Sequence, residues 1–251
     1  MDTKELESLI VKCLHDFYKQ RLQILKDLKL KYFLRRKNPY LFKAIGMQNA
    51  HEIILRILTD YLSSSDETIF GDAFFEPLAR IASGAKVADG AGMDFIIESE
   101  KKITAVALKS GPNPFNSSAK KRQSQELQAA RNRLFKTQKQ FDAVLGHAYG
   151  RQNTKPTTER IYRDSSGQAF WKEITGDSDF YLKILRLMRD TPFEHRKEYL
   201  ACHDAAINRF TAEFVIDFCF PDGTIDWEKL VIFVSAEKQE NKKIRGINNE
   251  H

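Results

Sequence analysis

The sequence predicts an α/β or α+β fold, in which a sheet is wrapped by helices and preceded by a helical N-terminal region. Apolar residues in the first third recur at three- and four-residue steps, as in Leu6, Ile10 and Leu14, which is the spacing of an amphipathic helix. From residue 86 onward, two short strand-like segments are followed by a charged helix and another apolar segment. With 251 residues, 42% of them hydrophobic, the chain is long enough to bury a core.

The N-terminal region, residues 1–62, is predicted to be helical and to pack on the core. It contains a helix over residues 49–62, which the three serines at 63–65 are expected to end. Ser64 and Glu67 have the spacing of a capping box, and they predict a third helix that continues through Leu78.

Residues 63–236 are predicted to form the core with its C-terminal helices, and residues 237–251 a polar tail. The predicted strands are residues 93–98, 103–109, 142–149 and 160–163, with a possible edge strand at 230–234. The predicted helices of this region, after the one that begins at Ser64, are residues 118–139, 180–189 and 194–217. The first two strands are separated by a short polar turn, which predicts a hairpin.

Composition excludes several classes of protein. No apolar run approaches the roughly 20 residues that a membrane span needs, and the first residues, MDTKELESLI, lack the pattern of a signal peptide. The three widely spaced cysteines suggest neither a disulfide framework nor a zinc site, so we expect a cytoplasmic setting. A net charge of +6 allows a nucleic-acid partner without requiring one.

The predicted hairpin carries the residues best suited to chemistry. Asp94 begins its first strand and Lys109 ends its second, so the two side chains can converge on neighbouring antiparallel strands. A carboxylate that holds Mg²⁺ beside a lysine that orients water suits hydrolysis of a phosphodiester. The same spacing is also common in ordinary exposed pairs. The Gly-Pro-Asn turn after Lys109, followed by a basic helix suited to phosphate, favours the site.

The segment LKSGPNPFNSS, residues 108–118, together with GMDF at 92–95, resembles the active-site hairpin of type II restriction endonucleases in the PD-(D/E)XK superfamily, most closely the PmeII-like group. Further stretches similar to that group follow the same order, at residues 35–42, 64–76, 149–151 and 167–171. The resemblance covers roughly residues 30–190. It implies a restriction-endonuclease-like mixed central sheet flanked by helices, Mg²⁺-dependent cleavage of double-stranded DNA, a homodimer, and a cognate DNA methyltransferase that protects the host.

By this resemblance Asp94 is the first acid of the superfamily motif and Lys109 is its lysine, whereas the usual second acid is replaced by Ala107. Three explanations stay open: a second acid supplied from elsewhere, an engineered inactivating change, or a degenerate nuclease that binds DNA without cutting. Glu76, on the helix before the hairpin, is the first candidate for the missing catalytic acid and metal ligand, and Glu126 is the second. Each could also be an exposed helix residue.

Polar and basic residues after Lys109 are predicted to contact DNA. They are Asn113, Asn116, Ser117, Lys120, Lys121, Arg122 and Arg151. A solvated helix face is the alternative interpretation of the charge run. The sequence therefore predicts a restriction endonuclease, with a non-cutting DNA-binding protein of the same fold as the alternative.

Overall fold

A computed structural model of the chain describes residues 1–112, 117–158 and 160–237. Its helices are α1 (Thr3–Asp27), α2 (Leu30–Leu34), α3 (Pro39–Ala44), α4 (Ala50–Phe70), α5 (Glu76–Ala82), α6 (Ser117–Leu134), α7 (Gly167–Thr175), α8 (Phe180–Met188), α9 (Thr191–Phe218) and α10 (Trp227–Ser235). Its strands are β1 (Lys86–Val87), β2 (Phe95–Glu98), β3 (Lys102–Lys109), β4 (Gln140–His147) and β5 (Tyr162–Ser166). A π-helix (Gly71–Phe75) separates α4 from α5, and a 3₁₀ turn (Phe135–Thr137) follows α6.

The five strands form one mixed sheet in the order β1-β2-β3-β4-β5. The first three strands are antiparallel, whereas β3, β4 and β5 run parallel. The parallel step from β3 to β4 needs a long connection, and α6 lies within it. The carboxyl ends of β3 and β4 therefore meet at one edge of the sheet, where Lys109 pairs with His147.

Alternation along β3 divides its side chains between the two faces of the sheet. Val106 and Leu108 belong to a large buried cluster that also contains Leu6 of α1, Phe74 of the π-helix and Trp171 of α7. On the other face Ala105 and Ala107 lie in a smaller buried cluster, which includes Leu127 and Ala130 of α6. The sheet is thus covered by helices on both faces, which hold the end of β3 in place.

Contacts divide the chain into two units. The first unit, residues 1–26 and 61–203, contains the sheet and the helices that cover it. The second unit comprises residues 27–60 and the chain from residue 204 onward. Within the second unit Phe33 packs edge-on against Phe210, and Lys31 forms an ion pair of 2.8 Å with Asp217. The division of the chain into an N-terminal region, a core and a tail, with boundaries at residues 62 and 236, stays a prediction.

The predicted fold class, a mixed sheet flanked by helices with a helical N-terminal region, is confirmed. The hairpin is also confirmed, since β2 and β3 are antiparallel over the predicted segments. Two details are wrong. The serines at 63–65 lie inside α4 and do not end it, and residues 230–234 belong to helix α10.

In the part of the chain that the structure describes, no helix combines the length and the apolar character that crossing a membrane requires. The predicted polar tail falls, after Glu237, outside the described residues.

Candidate active site at the carboxyl end of the hairpin

Asp94 is fixed against the last residues of β3 by two hydrogen bonds. Its backbone amide donates to the carbonyl of Val106 at 2.8 Å, which continues the β2–β3 ladder by one residue. Its carboxylate accepts a hydrogen bond of 2.6 Å from the amide of Leu108. The carboxyl group therefore lies beside the residue that precedes Lys109.

Glu76 is positioned by the π-helix that interrupts the long helical segment before the hairpin. The Glu76 amide donates to the carbonyl of Gly71, five residues earlier, and α5 begins at this residue. Single π-turns inside helices occur frequently at functional sites. Phe74 and Leu78, on either side of Glu76, are fully buried, and they anchor this part of the helical segment while Glu76 itself is half-buried.

The charges of the neighbouring groups act on Glu76. Burial raises the pKa of its carboxyl above the ordinary value of 4.5, and the negative charges of Asp94 and Asp72 raise it further. The positive charges of Lys109 and Arg80 lower it in part, without cancelling the rise. Asp94 and Lys109, at the two ends of the hairpin strands, thus both act on Glu76 of α5.

Lys109 lines an open cleft of about 610 Å³ on the first unit. Glu67 and Asp72 line the same cleft from α4 and the π-helix, and the turn that follows Lys109 forms another wall. The Ser110 hydroxyl donates a hydrogen bond of 3.1 Å to the carbonyl of Glu67, which ties the turn to α4. The cleft thus presents one lysine opposite two acids.

Glu126, the second candidate acid, lies on α6 against Gly92, where an added Cβ would collide with its side chain. It forms an ion pair of 2.8 Å with Arg122, one turn earlier on the same helix. The Gln123 side chain donates to the carbonyl of Gly92 at 2.6 Å, so α6 packs closely on this turn. Glu126 is therefore near the start of the hairpin, but a neighbouring arginine already neutralises it.

Ala107, at the position of the usual second acid, is 2% exposed among apolar side chains of the face that α6 covers. Its partners there include Met93, Leu127 and Tyr162. A glutamate at this position would place a carboxylate among apolar groups, which is unfavourable without a partner.

The predicted DNA-binding residues are divided among several places. Ser117, Lys120 and Lys121 line a cleft of about 570 Å³ together with Arg160. Arg122 is held by Glu126, whereas Arg151 lines a separate cleft of about 680 Å³. Asn113 and Asn116 lie outside the described residues.

The oxygen donors near the end of the hairpin are carboxylates, which suit Mg²⁺. Among the described residues, no group of three or more histidine, cysteine, aspartate or glutamate side chains is close enough to form a complete cage. Mg²⁺ needs no such cage, because it commonly binds one or two carboxylates and keeps waters and substrate phosphate as its other ligands. Asp94 and Asp72 raise the pKa of Glu76, and a bound cation would relieve this repulsion, so the carboxylates fit the ion.

Sequence reasoning missed three polar residues in this region. Asp72 lies within a helix predicted from the sequence, where the only indication of its importance is its spacing of four residues from Glu76. His147, at the end of β4, and Asp164, in β5, are buried, and neither belongs to a metal-ligand motif in the sequence. A polar residue that closes an apolar strand, as His147 closes DAVLGH, is the signal that could have found them.

Most of the chain matches a known protein family. Residues 4–196 match the model of the family described as type II restriction endonuclease EcoO109I. A search of individual curated proteins gave no match. The matched region covers most of the chain and includes the hairpin, the π-helix and the clefts described above. The chain therefore belongs to the EcoO109I family of type II restriction endonucleases.

Proposed function

We propose that this chain is a Mg²⁺-dependent endonuclease that cuts both strands of DNA at a specific site. Asp94 and Glu76 hold the metal ion, with Glu126 as the alternative to Glu76, and Lys109 acts on the attacking water. The observation that carries the proposal is that the Asp94 carboxylate is bound to the amide of Leu108, next to Lys109, at the end of the hairpin, where the charges of Asp94 and Lys109 both act on the half-buried Glu76.

Each residue of the site has a definite task in this proposal. Bound Mg²⁺ supplies a Lewis acid that polarises phosphoryl oxygen and lowers the pKa of water. Asp94, which the Leu108 amide orients, and Glu76, which the π-helix places, present carboxylate oxygens to that ion. Lys109 orients the water and offsets the negative charge that develops on the phosphate.

The test is digestion of unmethylated phage DNA with Mg²⁺ and with EDTA. We expect discrete fragments with Mg²⁺ only, and loss of cutting in Asp94→Ala and Lys109→Ala. Lys101→Ala is the matched control, because Lys101 is exposed in the turn of the same hairpin. Cutting that survives EDTA, or that Lys109→Ala retains in full, contradicts the proposal.

The proposal extends to the partners. A homodimer suits a palindromic site, because two-fold symmetry of the protein matches that of the DNA and delivers one site to each strand. A cognate methyltransferase is required to protect host DNA, and it need not contact this chain. The similarity of residues 108–118 to the PmeII-like group is the reason to look for specificity related to that group. We place the enzyme in the cytoplasm with its substrate.

The second candidate function is a DNA-binding protein of nuclease fold that does not cut. Ala107 favours it, because this residue provides no carboxylate at the usual position. Such a protein would retard DNA in a gel shift with strong salt dependence and leave it intact with Mg²⁺. Fragments from the native chain exclude this function.

A further inference from the structure

A buried polar network lies directly behind the turn that follows Lys109. His147, at the end of β4, is 1% exposed, and Asp164 of the neighbouring strand β5 is 4% exposed. His147 is the β4 residue that pairs with Lys109 in the parallel ladder. Buried polar groups of this kind are costly unless every donor and acceptor has a partner.

Both ring nitrogens of His147 face oxygen acceptors. Nδ1 lies 3.0 Å from the carbonyl oxygen of Gly111, and Nε2 lies 3.2 Å from Oδ1 of Asp164. A backbone carbonyl can only accept, so Nδ1 must carry a proton. Nε2 lies beside a carboxylate oxygen of Asp164, and this contact fixes the orientation of the ring.

The surroundings of Asp164 keep it ionised. Burial alone would raise the pKa of this carboxyl, but hydrogen bonds from Thr154 and His147 and the charge of Arg160 outweigh burial and lower the pKa. The Thr154 hydroxyl donates at 2.5 Å, and the Arg160 guanidinium donates at 2.8 Å. These donors also hold the carboxylate in place, so Asp164 is a fixed partner for the His147 ring.

Three successive backbone carbonyls, beginning with that of Lys109, accept hydrogen bonds that hold the turn. The carbonyls of Lys109 and Ser110 accept hydrogen bonds from the amides of Ala148 and Tyr149, at 2.9 and 3.1 Å. The next carbonyl, that of Gly111, accepts from the His147 side chain. Gly111 cannot retreat toward β4 because the Tyr149 ring occupies the space that a Cβ would need.

We infer that His147 is a positioning residue for Lys109: its Nδ1–H, on a ring that Asp164 holds at Nε2, donates to the Gly111 carbonyl and thereby fixes the turn that aims the lysine. The inference rests on the proposed role of Lys109 in cutting DNA. His147 is buried and does not contact substrate, so it acts on the reaction only through the turn. A displacement of about 1 Å at a reacting group can lower a rate about 100-fold, so the hydrogen bond that fixes this turn affects the rate of cutting.

Two matched substitutions separate the two hydrogen bonds of His147. The amide nitrogen of asparagine occupies nearly the position of Nδ1, so His147→Asn keeps a donor for Gly111 and loses the bond to Asp164. The amide nitrogen of glutamine corresponds to Nε2, so His147→Gln keeps the bond to Asp164 and loses the bond to Gly111. Each variant loses one bond, and a purely structural role predicts similar losses in both.

The readouts are single-turnover cleavage of phage DNA with Mg²⁺ and DNA affinity in EDTA. We expect His147→Asn to cut about 3-fold more slowly than the native chain and His147→Gln about 100-fold more slowly, while affinity stays within about 3-fold in both. Equal rates in the two variants, or a faster His147→Gln, overturn the inference. Thermal unfolding of both variants shows that the comparison is between folded proteins.

An independent readout does not need cleavage. In the ¹⁵N spectrum of the histidine-labelled full chain, we expect a proton on Nδ1 of His147. A ring whose Nδ1 carries no proton overturns the inference even if the enzyme cuts DNA. If the native chain does not cut, the proposed function fails, whereas the spectrum still decides whether His147 can donate to the Gly111 carbonyl.

Discussion

Glu76 combines a half-buried position with two neighbouring negative charges, so its charged form is disfavoured in the metal-free protein. Its pKa is raised above 4.5, mainly by burial and then by Asp94 and Asp72. Because the folded-state pKa is raised, the favourable contribution of the protonated group is complete below the ordinary pKa and is lost as the pH rises through the folded value. At neutral pH the ionised glutamate therefore destabilises the free protein.

Glu76→Gln should accordingly stabilise the metal-free chain at neutral pH and abolish most cutting. We expect a higher melting temperature than for the native chain in EDTA, with the difference disappearing toward pH 4. We expect the cleavage rate to fall by about 100-fold or more, because the metal's share of transition-state stabilisation is several kcal/mol. Thermal scans across pH and cleavage assays check the two expectations.

Mg²⁺ provides the control for this prediction. A cation bound by Glu76 stabilises only the folded state, so Mg²⁺ should raise the melting temperature of the native chain more than that of Glu76→Gln. Glu126→Gln is the matched variant, because its glutamate is paired with Arg122. If Glu126→Gln loses the Mg²⁺ response and Glu76→Gln retains it, Glu126 is the second ligand.

Ala107→Glu tests whether the usual acid can simply be restored. Ala107 is 2% exposed among apolar side chains, so the new carboxylate would be buried without a partner. We expect the free energy of unfolding to fall by more than about 2 kcal/mol, as measured by urea denaturation.

Thr104→Glu is the comparison for Ala107→Glu on the same strand, because Thr104 is only half-buried and a glutamate there can reach water. We expect it to change stability by less than about 1 kcal/mol. An Ala107→Glu variant as stable as this one, with faster cutting, would mean that position 107 opens onto the site.

At the scale of elements, the helices and strands predicted from the sequence are correct where the local pattern of apolar residues agrees with burial in the fold. The hairpin is such a case, because the apolar residues of its second strand, β3, are buried on both faces of the sheet. The serines at 63–65 were misinterpreted, because Leu62 and Ile69 are both buried two helical turns apart and their packing keeps α4 continuous. Serine is only mildly unfavourable inside a helix, so tertiary contacts override it.

The edge strand predicted at residues 230–234 is wrong for a different reason. Asp226 accepts a hydrogen bond from the amide of Lys229 and caps α10, and this aspartate before Trp227 was the overlooked signal. In the candidate site, Asp94 and Lys109 lie on one hairpin and could be paired from the sequence. Asp72 and His147 could at most be singled out from their spacing, because the π-turn and the parallel ladder that bring them to this region cannot be derived from the local sequence.

The packing of α6 on the turn before β2 gives a prediction at this scale. Gly92 has a φ of +86°, and an added Cβ would collide with Glu126 of α6. Gly84 has a φ of +65°, with no atom within 4 Å of an added Cβ. Gly84→Ala should therefore cost only the backbone strain, about 1–2 kcal/mol.

Gly92→Ala should cost that strain plus overpacking of a further 1–3 kcal/mol or so, measured by urea denaturation of both variants. It should also displace Asp94, two residues later, and slow cutting more than Gly84→Ala does. Equal losses of stability in the two variants would mean that α6 yields easily and does not fix the turn.

At the scale of the whole molecule, a net charge of +6 is too small to identify a DNA-binding face, so the distribution of charge must do so. Lys120 and Lys121 are exposed on α6 and line one cleft with Arg160. Arg160 is already engaged by Asp164 and Thr154, so the two lysines are the better test of contact with phosphate.

The double variant Lys120→Gln/Lys121→Gln should weaken DNA binding similarly for every sequence. If both lysines neutralise phosphates, the slope of log affinity against log salt falls by about 2, because each phosphate contact contributes about 1. The cut positions should stay the same, since contacts with phosphate carry no base information. Binding titrations between low and moderate salt, with EDTA to prevent cutting, measure the slope.

Lys12→Gln/Lys19→Gln removes the same charge from exposed positions on α1 and serves as the control. The two double variants have equal net charge, so any difference between their salt slopes reports where the DNA lies. A slope reduced equally by both would mean that the affinity follows net charge alone. A slope reduced only by the α6 pair would place phosphate beside the helix that follows the Lys109 turn, within reach of the lysine proposed to act on the water.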